Sequence, residues 1–178
     1  DISKCVFTSR ILYNTNMSVS METSVVMASG ASVAPISITN TGTVVLCDCE
    51  ITSSGTSNTI VTGNGKLLVS DCVIVGDAVA APTVLVGGGV TKMSNTTVMN
   101  TAGTVAITYN TMATANEPHE LIDMFVTGNV VGGTAYLYID GIRNLSGNVI
   151  SGANVSVRPA AQIGYFATIG TTPVTNVQ

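Results

Sequence analysis

One phrase recurs along this chain, and it leaves few folds open. "PISITNTGTVVLCDCEI" (35–51) lies over "NTIVTGNGKLLVSDCVI" (58–74) and over "PTVLVGGGVTKMSNTTV" (82–98). Gly42, Gly65 and Gly89 share one column, and Asp48, Asp71 and Asn95 share another, at spacings of 23 and 24. Extended in both directions, the second column reads Lys4, Thr23, Asp48, Asp71, Asn95, Asp123 and Gly147. Two positions before it stand Ile2, Met21, Leu46, Val69, Met93, Leu121 and Leu145, all apolar. Three positions after it stand Phe7, Val26, Ile51, Ile74, Val98, Val126 and Ile150, again all apolar.

Alternation with period two on both sides of a fixed point predicts two short strands meeting at a sharp corner. A helical period would not keep these columns in step. Asp, Asn and Gly at the corner suit the left-handed backbone that a tight bend demands. A unit of roughly 24 residues cannot bury an apolar face alone, whereas stacked copies bury a continuous core. The expected fold is all-β: a single-stranded parallel β-helix of about seven rungs over residues 1–157. Residues 158–178 lose the repeat and are expected to form a C-terminal strand or tail that caps the stack or docks on a neighbour. The chain opens in mid-phrase at "DISKCVF", so more protein or a partner is expected to precede it.

Charged residues make up 9% of the chain, well under the usual quarter for a soluble domain. Only six are Lys or Arg and the net charge is −4, so no basic surface for nucleic acid is expected. The most apolar run (78–91) is broken by Pro82 and by Gly87, Gly88 and Gly89, so no helical membrane span is expected. Cys5, Cys47, Cys49 and Cys72 show no metal-binding spacing, and neither a metal nor a cofactor is expected. Cys5, Cys49 and Cys72 fall on inward positions and Cys47 on an outward one. Adjacent parallel rungs do not present disulfide geometry, so free thiols and assembly in a reducing cytoplasm are expected.

The rung phrases, "LSGNVISG" (145–152) among them, resemble those of right-handed parallel β-helix proteins of the pectin-lyase-like class, and of phage tailspikes and viral fibres. The resemblance implies a right-handed solenoid. It does not bring catalysis with it. Polygalacturonase-type members carry Asn-Thr-Asp, Asp-Asp, His-Gly and Arg-x-Lys sets on successive rungs, and none occurs here. The basic residues of a pectate-lyase site are not assembled either.

Three groups of residues are candidates for function. The Asp48/Asp71/Asn95 column could hold a cation or an acid–base pair, but Asn95 and Gly147 in the same column favour a purely geometric role. Glu117, His119, Glu120, Asp123, Asp140 and Arg143 surround a segment (110–120) expected to loop out, and form a candidate ligand or partner site. By the repeat count, His119 and Arg143 share one column. The third group is a ladder two positions after the corner: Val6, Val25, Glu50, Val73, Thr97, Phe125 and Val149. It should face outward, yet Val6, Val25, Val73, Phe125 and Val149 are apolar. An apolar ladder of that length implies a cover. The options are another subunit, as about the threefold axis of a fibre, or a loop or tail of the same chain.

The function expected from these features is non-enzymatic: a structural component of a viral or phage particle (fibre, spike or capsid-surface protein), on the virion surface or extracellular. Such a component would self-associate, as a trimer for instance, or bind other virion proteins, and could attach to a glycan or receptor. The alternatives are a carbohydrate-active β-helix enzyme using Asp123, Glu120 or Asp140, and a cell-surface adhesin.

Overall fold

The structure, a computed structural model, describes residues 1–8, 11–13, 16, 18–31, 34–39, 41–110, 116–144 and 149–157. These residues contain strands and turns but no helix, and the strands stack in parallel as a β-solenoid. The first sheet has eight strands: Ile2–Ser3, Val19–Glu22, Thr43–Cys47, Lys66–Ser70, Thr91–Ser94, His119–Ile122, Tyr136–Asp140 and Asn154–Val157. The second has seven: Val6–Phe7, Val25–Ala31, Glu50–Gly55, Val73–Gly76, Thr97–Asn100, Phe125–Thr127 and Arg143–Asn144. The third also has seven: Ile11–Tyr13, Ile36–Ile38, Ile60–Thr62, Val84–Val86, Val105–Tyr109, Asn129–Val131 and Ile150–Ser151. The chain visits the three sheets in turn, so each coil lays one strand on each.

The core is built from the predicted columns. Met21, Leu46, Val69, Met93, Leu121 and Ile139 stack inward from the first sheet. Val26, Ile51, Ile74, Val98 and Val126 stack inward from the second, and Ile36, Ile60, Val84, Ile107, Val130 and Ile150 from the third. Identical pleat on neighbouring strands keeps each apolar column on one face, and burying a branched side chain there contributes roughly 1.5–3 kcal/mol.

The corner between the first two sheets explains the phrase. Lys4, Thr23, Asp48, Asp71, Asn95 and Asp123 all adopt positive φ, between 45° and 56°. The left-handed residue turns the strand sharply without interrupting the hydrogen-bond ladder. Its own N–H donates to the next coil, as from Asp48 to the Ser70 carbonyl at 3.2 Å. Two residues on, the N–H donates to the previous coil, as from Val73 to the Cys49 carbonyl at 2.9 Å. The N–H groups through the bend therefore stay paired with neighbouring coils.

The residue after the bend has a specific role. Its side chain folds back onto the carbonyl two residues earlier: Cys5 on Ser3 at 3.3 Å, Ser24 on Glu22 at 2.8 Å, Cys49 on Cys47 at 3.2 Å, Cys72 on Ser70 at 3.1 Å and Thr96 on Ser94 at 2.8 Å. The same atom accepts an N–H from the coil before, as from Cys49 to Cys72 Sγ at 3.4 Å and from Cys72 to Thr96 Oγ1 at 3.3 Å. Cysteine, serine and threonine are interchangeable here because each offers one donor and one acceptor on a short side chain.

The last corner lies elsewhere than the repeat count places it. Gly141, with φ +74°, follows Asp123 in the column, and Phe125 pairs with Arg143. The coil from Asp123 to Gly141 is 18 residues long instead of 24. Ile139 takes the place expected for Leu145, and Ile150 belongs to the third sheet. Gly147 and Leu145 lie outside the described residues, as do residues 111–115 of the expected loop and the whole 158–178 segment.

Between the second and third sheets the bend is held by a buried amide. The Asn100 Nδ2 donates to the carbonyls of Ala78, Ala81 and Val105 at 3.1, 3.1 and 2.8 Å. Its Oδ1 accepts the N–H groups of Ala102 and Gly103 at 3.3 and 2.7 Å. One side chain thus ties its own bend to that of the preceding coil.

Candidate functional site

The outer face of the second sheet carries the apolar ladder. The register runs Val6, Val25, Glu50, Val73, Thr97, Phe125, Arg143. Val6 is 66% and Val73 40% exposed, both large fractions for a branched apolar residue within a strand. Val149 is not a member. It precedes the third-sheet strand Ile150–Ser151, where its carbonyl accepts the Val130 N–H at 3.0 Å. The short coil moves the register by six residues and puts Arg143 in that place.

A second outward column runs beside the first: Met27, Thr52, Val75, Met99, Thr127. Met27 is 43% exposed. Sequence reasoning followed one column and missed this one, although the same period-two count applied four positions after the corner would have found it. Together the columns form a two-residue-wide strip along the solenoid in which Val6, Val25, Val73, Phe125, Met27, Val75 and Met99 are apolar and threonines and two charges fill the rest. Its charges are Glu50 near one end and Arg143 at the other, and neither makes an ion pair among the described residues.

The charged candidates around the loop are dispersed. His119 faces inward, fully buried, in a column with Leu67, Thr91 and Leu137. Its Nδ1 accepts the Thr91 N–H at 3.1 Å, and its ring packs 4.5 Å from that of Tyr109. Burial pushes the Tyr109 phenol well above its ordinary pKa. Arg143 sits on a different sheet, so His119 and Arg143 do not share a column. The slip of the last coil misplaced one of them, and the inward pleat hides the other.

Glu120 remains outward on the first sheet, where its carboxylate takes Lys92 Nζ at 2.8 Å. Glu117 takes Lys66 Nζ at 2.6 Å, which holds its carboxyl below the ordinary carboxylate range. Asp140 pairs in register with Ile122, diagonally beside Glu120 on the same face. Asp123 occupies the corner, its N–H on the Asp140 carbonyl at 2.7 Å. A shallow concavity of about 210 Å³ lies on this face, lined by Val45, Leu68, Ser70, Lys92, Ser94 and Glu120 among others.

At the corner column, the Asn95 amide donates to the Asp71 carboxylate. Donor atoms of Cys47, Asp48 and Asp71 lie within 4.8 Å of one another, all partly or fully exposed. The Cys47 thiol, facing outward, reaches the Asp48 carboxylate at 4.0 Å. All four thiols are free. Cys49 and Cys72 are buried, and a hydrogen bond from the Cys72 thiol lowers Cys49 to about 6 against the opposing effect of burial. The same shared bond, with burial, raises Cys72.

The architecture defines the chain as a parallel β-solenoid. It matches no family model, no curated protein and no solved structure. Among the described residues no helix is long and apolar enough to cross a membrane.

Proposed function

We propose that this chain is a non-enzymatic structural component of a viral or phage particle: a fibre, spike or capsid-surface protein that makes assembly contacts and presents a surface to the host. The observation that carries this reading is the two-column apolar strip on the second sheet. Val6, Met27 and Val73 are exposed to water on one regular sheet face, with half-buried Val75, Met99 and Phe125 beside them, and such a surface favours a protein cover. Free thiols at the bend fit assembly in a reducing cytoplasm. The pectin-lyase-like and tailspike resemblance supports the same class by architecture alone. Replacing Val73 by Asp and Phe125 by Ser in the full-length chain tests it. Loss of assembly with an unchanged far-UV spectrum is expected, and unaltered assembly overturns it.

A carbohydrate-active enzyme is the second reading, favoured by Glu120, Asp140 and Ser94 beside the first-sheet concavity. Two carboxyls acting on a glycosidic bond stand roughly 5–9 Å apart. Cleavage of a panel of polysaccharides, abolished in Glu120→Gln and Asp140→Asn variants, would establish it in place of the structural reading.

A further inference from the structure

We infer that two copies of this chain pair through the outer face of the second sheet about a two-fold axis, their solenoids running in opposite directions. The inference rests on that face being a docking surface, and it adds the occupant and the geometry.

The charge pattern on the strip selects the arrangement. In the register Glu50, Val73, Thr97, Phe125, Arg143, Thr97 is the midpoint. A two-fold axis along the Thr97–Asn100 strand reverses the order of coils and leaves the columns superposed. Glu50 of one copy then meets Arg143 of the other, and the reverse pair forms by symmetry. Val73 meets Phe125, and Thr97 meets its own copy. In the neighbouring column Val75 meets Thr127 and Met99 meets Met99. The two strip charges thus each find an opposite one.

A threefold fibre with parallel solenoids brings equal coils together. It sets Glu50 against Glu50 and Arg143 against Arg143, which like-charge repulsion opposes. The charge pattern therefore favours the antiparallel pair over the parallel trimer.

The extent of the face predicts how tight the pair is. Five coils at about 4.8 Å and two columns about 6.6 Å apart give a strip of roughly 300–400 Å² on each copy. That is less than half of the roughly 800 Å² per partner of a standard interface, so the pair is a weak, transient one. It is strengthened by the two charge pairs and weakened by salt.

Sedimentation of the full-length chain between about 1 and 100 µM tests the proposal. A concentration-dependent dimer is expected. Glu50→Arg and Arg143→Glu each break two symmetric contacts and should weaken it about tenfold or more, while the double variant restores it. In a Cys5→Ser, Cys47→Ser background, Thr97→Cys should form a disulfide-linked dimer under mild oxidation, whereas Glu50→Cys alone should not. A trimer, or self-linking at both Thr97→Cys and Glu50→Cys, overturns the two-fold geometry and leaves the docking surface standing. A monomer whose Met99 and Phe125 are protected from hydroxyl-radical labelling overturns the second copy as occupant. A monomer with those residues fully labelled at every concentration overturns the docking surface as well.

Discussion

Asp123 and Gly141 occupy the same corner on successive coils, with φ +50° and +74°, and a Cβ added to Gly141 would collide with the Asp123 carboxylate. The two residues show why this corner accepts a small set of side chains. The backbone there is left-handed in every coil described, and the space beside it is filled by the previous coil. Asp and Asn adopt that backbone with little strain, whereas the β-branched Thr23 holds it at a greater cost.

Gly141→Val is expected to destabilise the solenoid by about 2 kcal/mol or more, through both the backbone conformation and the collision. Asp123→Gly should be nearly neutral, since it relieves strain and removes the group that Gly141 avoids. Urea unfolding followed by circular dichroism compares the two. Equal losses for both would show that the corner conformation is not what restricts these positions.

The residue after the corner makes a second, sharper prediction. Cys72→Ser should be tolerated, because Ser24 and Thr96 already perform the same two hydrogen bonds in other coils. Cys72→Val keeps the volume but leaves the Ser70 carbonyl and the Cys49 N–H without this partner, for a loss of about 1–3 kcal/mol. The difference in unfolding free energy between the two variants isolates the hydrogen bonds from the packing.

His119→Ala should be strongly destabilising, by about 3 kcal/mol or more. It opens a cavity beside Tyr109 and strands the buried Thr91 N–H. Glu120→Ala, one residue along and facing outward, removes an ion pair to Lys92 and should change stability by less than about 1 kcal/mol. Comparable thermal shifts for the two would contradict the inward placement of His119.

Thiol labelling distinguishes acidity from access. Cys49 is lowered to about 6 by hydrogen bonds that exist only in the folded corner, so its acidity and its access to reagent are opposed. Burial withholds it. Cys5 and Cys47 should react with a bulky disulfide reagent in the native state, and Cys49 and Cys72 only as the chain unfolds. Fast native labelling of Cys49 would mean that the corner opens well below the global unfolding free energy.

The protonation of Glu117 supplies a pH dependence with a defined sign. Lys66 depresses its folded pKa below the ordinary 4.5, so the pair contributes at neutral pH and its contribution is lost as the pH falls through the depressed value. With both side chains about half exposed, salt should erase most of the effect. Acid titration of stability for the parent chain and Lys66→Met, at low and high salt, measures it.

The repeat made most of the fold legible. Because side chains in a strand alternate strictly, the apolar columns ending in Leu121 and Val126 identify inward faces without reference to distant parts of the chain. The corner residues Lys4 to Asp123 were likewise readable by spacing, even where Lys4 and Thr23 are not turn-formers by type. Reading stopped at the last coil. "YIDGIR" (138–143) and "LSGNVI" (145–150) both fit the phrase, and a fixed period favours the second. The actual coil is 18 residues long, a length that only the pairing of Phe125 with Arg143 establishes.

What the sequence by itself determined is therefore local and periodic: strand, corner, strand, with an apolar side facing in. Only the tertiary structure decided which residues from different coils become neighbours, because pairing between coils depends on the length of every intervening segment. That pairing removed Val149 from the outer ladder and added Met27, Val75 and Met99 as a second column. It turned His119 into the core and set Arg143 on the strip that also carries Glu50. The order of those two charges along a surface, on which partner geometry depends, exists only once the coils are stacked.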